Sequence, residues 1–390
     1  MKKIFFLLPG QFSRREYFRF GIDILKKNFL VKTLDFTPWL NPELYQDYPN
    51  KAFYFRNNVS ISSEKDLLNL LNTTQPDIVV DALSNNKKAK RIKKIIKQNS
   101  KILFVGLFIN TIPLPKTNIK EILKILILKP KKFFYKLFKF VNINYFYNFK
   151  FDPCIVGGLH AMSKTKTKEL ILGHCMDYDI YLDIKNKPVN NNNSYAVFID
   201  DGMTHHSDYS ILNQKPPISV DDYYPLLAKF LNKFAIEIKL PVLFATHPKT
   251  PDHIIEKFPN LLKGIKYQIG NTAELVRNSK MVLLHQSTAF SFAVLFNKPV
   301  VFLTSNKLRN SWIGSRIDNF AKSVNGQIIN MDNDLNKPLD FQNLLKIDKS
   351  KYKNYLDQYL KVPNSPDIPL WEIFSDFIKK NNSKSIINNL

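Results

Sequence analysis

Three polar clusters in the second half of the sequence combine residue types that bind phosphate and move protons. Each cluster directly follows a short apolar run, which is the pattern of a buried β-strand that ends in a loop. A carboxylate there can act as a general base toward a hydroxyl, while histidine, lysine and hydroxyl side chains can bind a phosphate. The clusters are Asp200-Asp201-Gly202 with His205 and His206, then His247-Pro248-Lys249, then His285-Gln286-Ser287-Thr288.

The residues of these clusters take separate predicted roles. We predict that Asp201 or Asp200 is the catalytic base, with Asp201 favoured because Gly202 lets the backbone turn tightly beside it. His206 is the substitute candidate, since the side chain of a histidine titrates close to neutral pH. The residues that we predict to bind the nucleotide or its phosphate are His247, Pro248, Lys249, His285, Ser287 and Thr288.

Alternating strands and helices should place the three clusters at one edge of a parallel sheet. The carboxyl ends of parallel strands meet at the same edge, so the three loops should open into one crevice. Ser287 or Thr288 should be the N-cap of the helix that follows it. The predicted strands cover residues 195–199, 242–246, 281–284, 300–303 and 328–331, and the predicted helices cover 220–240, 252–257, 272–278 and 288–296.

The first half of the sequence shows the same alternation, which is typical of a parallel sheet with crossover helices. Its predicted strands cover residues 4–8, 31–34, 78–82 and 102–107, and its predicted helices cover 14–27, 64–71 and 87–98. We therefore predict an α/β protein with two Rossmann-like domains that face a central cleft. The expected domains are 1–190 for the acceptor, 191–340 for the nucleotide sugar, and C-terminal helices in 341–390 that could cross back, with Trp371, Ile373 and Phe374 as packing anchors.

The segment 117–150 interrupts this alternation with basic and aromatic residues at helical spacing. Such a pattern suits an amphipathic helix that lies on an anionic membrane, and it also suits a packed helix with a solvated lysine face. Both interpretations stay open. The lysines are Lys120, Lys124, Lys129, Lys131, Lys132, Lys136, Lys139 and Lys150, against the single acid Glu121.

The charge of the 390-residue chain indicates an anionic partner. Lys and Arg number 57 and Asp and Glu number 33, so the formal net charge is +24. That partner could be a nucleic acid, a phosphorylated substrate or an acidic membrane surface. No RNP, KH or helix-turn-helix pattern is visible, so we do not expect a nucleic-acid partner. Cys154 and Cys175 do not form a CxxC pair, and a cytoplasmic location fits their small number.

A metal site is the less favoured alternative, and we expect no metal or other cofactor. A zinc ion could bind His205, His206, Asp208, His247 and His285, but no fixed ligand spacing supports it. The triplet Asp177-Tyr178-Asp179 could hold a metal or make a hinge contact. Dinucleotide-binding, P-loop and serine-hydrolase motifs are absent from the sequence.

The three clusters resemble the motif set of bacterial sialyltransferases and polysialyltransferases of the GT-B fold. That set is an acidic pair followed by Gly, then His-Pro, then a Ser/Thr motif, and it corresponds here to Asp200-Asp201-Gly202, His247-Pro248 and Ser287-Thr288. The order agrees, but in sialyltransferases the acidic motif lies in the N-terminal domain. The clusters are also similar to those of proteins encoded in surface-polysaccharide gene clusters, and the region after Asn278 to polyglycerol-phosphate transferases of teichoic acid synthesis.

These resemblances imply a glycosyltransferase that builds a bacterial surface glycan. It would move a sugar, with a CMP-linked nonulosonate as the favoured donor, to a lipid-linked or oligosaccharide acceptor. The enzyme would be cytoplasmic and peripheral at the inner membrane. The alternative is a nucleotide-sugar epimerase or hydrolase with the same architecture, and a nucleic-acid-binding protein is the last candidate.

Overall fold

A computed structural model describes residues 1–43, 53–83, 86–114, 151–188, 195–206, 209, 214–334 and 337–387, the last six of these by their backbone alone. The chain divides into two compact units. Unit 1 contains Met1–Ile109, Lys116–Met176 and Lys361–Leu390, and unit 2 contains Asn110–Pro115 and Asp177–Leu360. This division falls at Met176 and Leu360, whereas the expected domain boundaries were residues 190 and 340. The segment 117–150 and the polar run 190–193 lie outside the described residues.

Unit 1 is built on a seven-stranded parallel sheet in the order β3-β2-β1-β4-β5-β6-β7. Apolar residues fill β1 and β4 almost completely, because helices cover both faces of such a sheet. The strands are β1 Lys3–Leu8, β2 Leu30–Asp35, β3 Asn58–Ser60, β4 Ile78–Asp81, β5 Leu103–Phe108, β6 Cys154–Val156 and β7 Leu170–Leu172.

The helices of unit 1 enclose two apolar clusters, one on each face of the sheet. The C-terminal helix belongs to the first cluster. Its Trp371 and Phe374 are fully buried, the Trp371 indole donates to the carbonyl of Arg19, and Ile373 packs beside them. The helices are α1 Arg14–Arg19, α2 Ile22–Lys26, α3 Thr37–Leu40, α4 Glu64–Thr74, α5 Lys87–Lys97 and α6 Leu159–Lys164, with the C-terminal helix Leu370–Ile387.

Unit 2 repeats this plan with six parallel strands in the order β10-β9-β8-β11-β12-β13. The first strand of each unit therefore lies inside its sheet, and the chain winds outward on both sides of it, which is the Rossmann order. The strands are β8 Ala196–Ile199, β9 Val242–Thr246, β10 Lys266–Ile269, β11 Met281–Leu284, β12 Val300–Thr304 and β13 Gln327–Asn330.

The helices of unit 2 connect these strands. The long helix α8 begins at the N-cap Ser219, whose hydroxyl accepts from the backbone N–H of Asp222, and it ends at Lys239 in the left-handed conformation. The helices are α7 Met176–Ile184, α8 Val220–Ile238, α9 Asp252–Ile255, α10 Phe258–Leu261, α11 Thr272–Asn278, α12 Phe290–Leu295, α13 Asn306–Arg309, α14 Gly314–Val324, α15 Phe341–Leu344 and α16 Lys349–Tyr355, followed by the π-helical turn Leu356–Leu360.

The structure confirms all nine predicted strands within two residues at either end, and it also contains four strands that were not predicted: β3, β6, β7 and β10. One predicted helix is wrong, because residues 14–27 form two helices that are separated at Gly21. This glycine has a φ of +51°, and a Cβ on it would lie 2.5 Å from the Trp371 ring. The close approach of the indole requires the glycine and breaks the helix there. No helix among the described residues is long and apolar enough to cross a membrane.

Candidate functional site

The candidate site lies at the carboxyl edge of the unit 2 sheet, where β8 and β11 are neighbours. The chain winds away from β8 toward β9 and β10 on one side, while β11, β12 and β13 occupy the other side. Open α/β sheets bind ligands at such a switch point, because the loops on its two sides diverge and leave a crevice. The first polar cluster follows β8, the second follows β9, and the third follows β11.

Asp200 connects two of these loops through its carboxylate. One of its oxygens accepts from the backbone N–H of Gly202 at 2.9 Å, and the other accepts from the backbone N–H of His247 at 3.2 Å. Burial raises the pKa of Asp200 to about 6, and the hydrogen bonds from Gly202, His247 and the Thr250 hydroxyl lower it against that effect. Asp200 thus positions the loop of His247.

Asp201 connects the loops on the two sides of the switch point. Its Oδ2 atom accepts from the backbone N–H of Gln286 at 2.8 Å, whereas its buried Oδ1 atom has no hydrogen-bond partner among the described residues. Burial raises the pKa of Asp201 well above its usual value, and the neighbouring charge of Asp200 acts in the same direction. A carboxyl group in this state can hold a proton near neutral pH.

His205 is held between two threonines. Its Nε2 atom forms a hydrogen bond with the Thr250 hydroxyl at 3.1 Å, and its Nδ1 atom forms one with the Thr204 hydroxyl at 2.9 Å. Burial lowers the pKa of His205 to about 4, with smaller contributions from His206 and His253, so this ring is neutral. The role of Thr204 and Thr250 could not be predicted, because neither belongs to a motif.

His206 and His247 lie beside each other at the surface of the site. Their ring centroids are 4.9 Å apart, and both rings are half-buried. The backbone N–H of Lys249 donates to Nδ1 of His247 at 3.2 Å, so a neutral His247 carries its proton on Nε2. Pro248 and Lys249 are exposed in the same loop. The arrangement provides a hydrogen-bond donor, a second imidazole and a lysine within one short stretch of the edge.

Ser287 and Thr288 do not form the predicted N-cap. Helix α12 begins at Phe290, and its N-cap residue Ala289 has no side chain that could accept a hydrogen bond. The hydroxyl of Ser287 instead accepts from the backbone N–H of Ala289 at 3.3 Å, while Thr288 is exposed. The cap prediction is therefore wrong, because a tight turn of 287–289 precedes the helix.

His285 is a core residue, in contrast to the predicted phosphate ligand. It is fully buried, its Nδ1–H donates to the carbonyl of Leu303 at 2.7 Å, and its Nε2 accepts from the Tyr223 hydroxyl at 3.0 Å. Burial lowers its pKa to about 4. Because both ring nitrogens form hydrogen bonds with protein atoms, His285 has no nitrogen left for a ligand or a metal. It packs in the core next to the site loops. Among the described residues, no group of three or more His, Cys, Asp or Glu is arranged to hold a metal ion, and Asp208 lies outside them.

Asp177, which could hold a metal or make a hinge contact, bonds a residue within its own unit 2. Its Oδ2 atom accepts from the Ser291 hydroxyl at 2.6 Å, which ties the start of α7 to α12. Arg277 acts similarly near the end of α7, where its guanidinium donates to the carbonyls of Lys185, Lys187 and Pro188. These contacts explain the packing of α7 against the core of unit 2.

Comparisons with known proteins identify the fold. No protein-family model matches the chain, and no curated protein matches its sequence. Among solved structures, the UDP complex of S. aureus MnaA is similar over 98% of this chain and 97% of its own, with a TM-score of 0.53 and 13% identity. A putative UDP-N-acetylglucosamine 2-epimerase from Listeria monocytogenes covers 98% of both chains with a TM-score of 0.53 and 11% identity. Another UDP-N-acetylglucosamine 2-epimerase covers 98% of this chain and 96% of its own, with a TM-score of 0.51 and 12% identity.

These similarities extend over both units and confirm the predicted fold class. The chain has a GT-B-like fold with two Rossmann-like domains. At identities of 11% to 13% the neighbours define the fold of this chain and leave its chemistry to the residues of its own site.

Proposed function

We propose that this protein is an enzyme that acts on a nucleotide sugar and binds the nucleotide at the carboxyl edge of the unit 2 sheet. The observation that carries the proposal is the convergence of Asp200, His206 and His247 at the switch point of that sheet. The three solved structures with the same fold support it, since one holds UDP and the other two are named for UDP-N-acetylglucosamine.

The geometry assigns different tasks to the residues of the site. His247 donates through Nε2–H to a phosphate oxygen, and the ammonium of Lys249 stabilises the same negative charge. His206 is the proton-transfer group, because it is the least buried of the three candidate bases and its ring lies beside His247. Asp200 holds the His247 loop in place, and Ser287 and Thr288 provide hydroxyls on the far side of the switch point.

Asp201 supplies the link to the Ser287 loop. Its contact with the backbone N–H of Gln286 fixes the start of that loop, so that the two sides of the crevice keep a constant separation. We infer that its carboxyl group has a structural role and that proton transfer to the substrate belongs to His206. The sequence-based preference for Asp201 as the base is thereby replaced by a preference for His206.

Two reaction classes are compatible with this site, and the solved neighbours favour the epimerase or hydrolase. An epimerase removes a proton from one face of the sugar and returns it to the other, while a hydrolase adds water; neither requires an acceptor. The second candidate is the glycosyltransferase, which the order of the acidic, His-Pro and Ser/Thr motifs and the net charge of +24 favour. The CMP-linked donor, the lipid-linked acceptor and the anionic membrane surface remain predictions of this second candidate.

Product analysis without an acceptor distinguishes the two classes. The protein is incubated with UDP-N-acetylglucosamine alone, and the products are separated by anion-exchange chromatography. An epimeric nucleotide sugar or free UDP supports the epimerase or hydrolase, whereas turnover that requires an added glycan supports the transferase.

Nucleotide binding itself tests the proposal common to both classes. We expect one of CMP, UDP, GDP and CDP to raise the melting temperature, because a ligand that binds only the folded protein stabilises it by mass action. His247→Ala should lose this shift, and His253→Ala is the matched control, since His253 is an exposed histidine on α9 outside the proposed contacts. If none of the four nucleotides shifts the melting temperature of the wild-type protein, the proposed function is wrong.

A further inference from the structure

Trp312 is an exposed aromatic residue in the loop that follows β12 and α13. About 37% of its surface is accessible to solvent, whereas Trp371 in unit 1 is fully buried. A single exposed aromatic side chain is ordinary in a folded protein. Trp312 differs because neighbouring side chains hold its ring in a defined orientation at the carboxyl edge of unit 2, the edge that carries the proposed nucleotide site.

Two contacts orient the indole of Trp312. The Tyr209 ring meets it edge-on, with ring centroids 6.0 Å apart and planes at 78°. The guanidinium of Arg316, in the first turn of α14, lies over the indole with its Cζ 4.8 Å from the ring centroid. The guanidinium covers part of one face of the indole, so another planar ring can stack on the part of the indole that stays accessible or on the outer face of the guanidinium. The arginine also adds a positive charge for an anionic ligand.

A line of aromatic and imidazole rings joins Trp312 to the proposed phosphate contact. From His247 the ring centroids proceed to His206 at 4.9 Å, then to Tyr209 at 6.1 Å, then to Trp312 at 6.0 Å. These residues come from the loops after β9, β8 and β12, so the line crosses the switch point between β8 and β11. Neighbouring strands are about 4.8 Å apart, and the three steps from β9 to β12 span about 14 Å.

We propose, on the basis of the proposed function, that Trp312 and Arg316 form the nucleobase subsite of the nucleotide whose phosphates lie at His247 and Lys249. The base stacks on the accessible part of the indole beside Arg316. The ribose and diphosphate extend along the row of rings toward His247. This arrangement uses one edge of one sheet and places the phosphates and the sugar at the end of the row that His247 and its neighbour His206 form, where the proton-transfer group lies.

Calorimetry with three ligands distinguishes the contribution of the base to binding from that of the phosphates. UDP, uridine and inorganic pyrophosphate are titrated into the wild-type protein, Trp312→Ala and Tyr267→Ala. Tyr267 is the matched control, because it is an aromatic residue of unit 2 with the same exposure, 38%, on the edge strand β10. We expect Trp312→Ala to lower the affinity for UDP at least ten-fold, about 1.4 kcal/mol, and to leave the affinity for pyrophosphate unchanged.

Tryptophan fluorescence provides a direct readout of the same contact. In the Trp39→Phe background, UDP and uridine should quench the emission, because the base stacks on Trp312 while Trp371 stays buried. The quenching should disappear in Trp39→Phe with Trp312→Phe, which keeps an aromatic ring and the fold. Arg316→Ala should lower the affinity for UDP more than that for uridine, since the positive charge of the guanidinium acts on the anionic ligand.

The outcomes distinguish the subsite from the function on which it rests. If Trp312→Ala binds UDP as tightly as wild type, or if UDP quenches equally without Trp312, the subsite is wrong while nucleotide binding stands. If the wild-type protein binds neither pyrophosphate nor any of CMP, UDP, GDP and CDP, both the proposed function and the subsite are wrong. Equal losses of UDP and pyrophosphate in Trp312→Ala would also contradict the subsite, because they would show a general disturbance of the edge.

Discussion

The two units present the same sheet topology but different chemistry at their carboxyl edges. In unit 1, β4 ends at Asp81, and the ammonium of the buried Lys93 lies 2.7 Å from its carboxylate. In unit 2, β8 is followed by Asp200 and Asp201, and among the described residues no lysine or arginine forms an ion pair with either of them. Backbone N–H groups and the Thr250 hydroxyl bind these two carboxyl groups, and one oxygen of Asp201 has no partner among the described residues.

This difference separates a carboxylate of unit 1 whose charge is compensated by a lysine from two carboxyl groups at the edge where we propose that unit 2 binds a ligand. A buried carboxylate with a cation beside it has its charge compensated inside the protein, and it has little to offer a substrate. Burial raises the pKa values of Asp200 and Asp201, and it also raises those of Asp35 and Asp81 in unit 1, so the difference between the two edges lies in the Asp81–Lys93 ion pair. Carboxyl groups with raised pKa values concentrate at functional sites. Two further hydroxyls at the unit 2 edge, those of Thr246 and Thr304, are also buried without a partner among the described residues.

The largest expected effect comes from breaking the Asp81–Lys93 ion pair of unit 1. Lys93→Met should lower the free energy of unfolding by about 3–5 kcal/mol, because it leaves the Asp81 carboxylate buried without its cation. Urea unfolding followed by circular dichroism measures this effect. The double change Lys93→Met with Asp81→Leu is the control, and we expect it to recover much of the loss. An unchanged stability of Lys93→Met would contradict the view that unit 1 depends on this pair.

The next effect is a pH dependence that belongs to Asp200. Its pKa is raised from 3.8 to about 6 in the folded protein, so protonation favours the fold. The contribution is fully present below pH 3.8 and is lost as the pH rises through 6, by at most about 3 kcal/mol. Unfolding free energies of wild type and Asp200→Asn between pH 4 and 7 measure it. The wild type should lose stability over this range relative to the variant, and parallel curves would disprove the assignment.

The sequence predicted the core strands of unit 2 because their chemistry is local. The strands 242–246 and 281–284 are apolar runs between polar residues, and the structure has them with the same bounds. The environment of His285 could not be predicted, since it depends on Tyr223, which is 62 positions away on α8. In a loop sequence, a histidine that points into the core looks the same as one that points to a ligand.

The same limit applies to residues that lie outside the predicted motifs. Trp312 belongs to no motif, and its position beside Tyr209 and Arg316 follows from the course of the chain after β12. Thr250 looks like an ordinary residue after His-Pro-Lys, although its hydroxyl bonds both Asp200 and His205. Strand ends could thus be located from the sequence, whereas side-chain direction and contacts between loops required the tertiary structure.

A smaller effect should follow from removing one proposed phosphate contact at the carboxyl edge of the unit 2 sheet. His247→Ala should weaken the favoured nucleotide by about 1.5–3 kcal/mol, which is roughly 10- to 150-fold, because it removes a hydrogen bond to a charged phosphate. Calorimetry with the nucleotide identified in the melting-temperature screen measures the loss. Ser287→Ala with Thr288→Ala should have a smaller effect, since Thr288 is exposed and the Ser287 hydroxyl already accepts from Ala289. A larger loss of affinity in the double variant would indicate that the phosphate binds on the other side of the switch point, at the loop of Ser287 and Thr288.

The smallest expected effect is that of Asp201→Asn on stability. Burial raises the pKa of Asp201 well above its usual value, so we expect a protonated carboxyl at pH 6, which resembles the neutral amide that would replace it. The amide oxygen can still accept from the backbone N–H of Gln286, and we expect a change of less than about 1 kcal/mol at this pH. As the pH rises toward 9, the wild type should lose stability relative to the variant, because ionisation of a group with a raised pKa disfavours the fold. Thermal unfolding at pH 6 and pH 9 measures both the change in stability and its dependence on pH. Asp221→Asn, on the exposed start of α8, is the control. A strong loss of stability at pH 6 would mean that Asp201 is ionised in the fold, and the two edges would then differ in the partners of their carboxylates but not in charge.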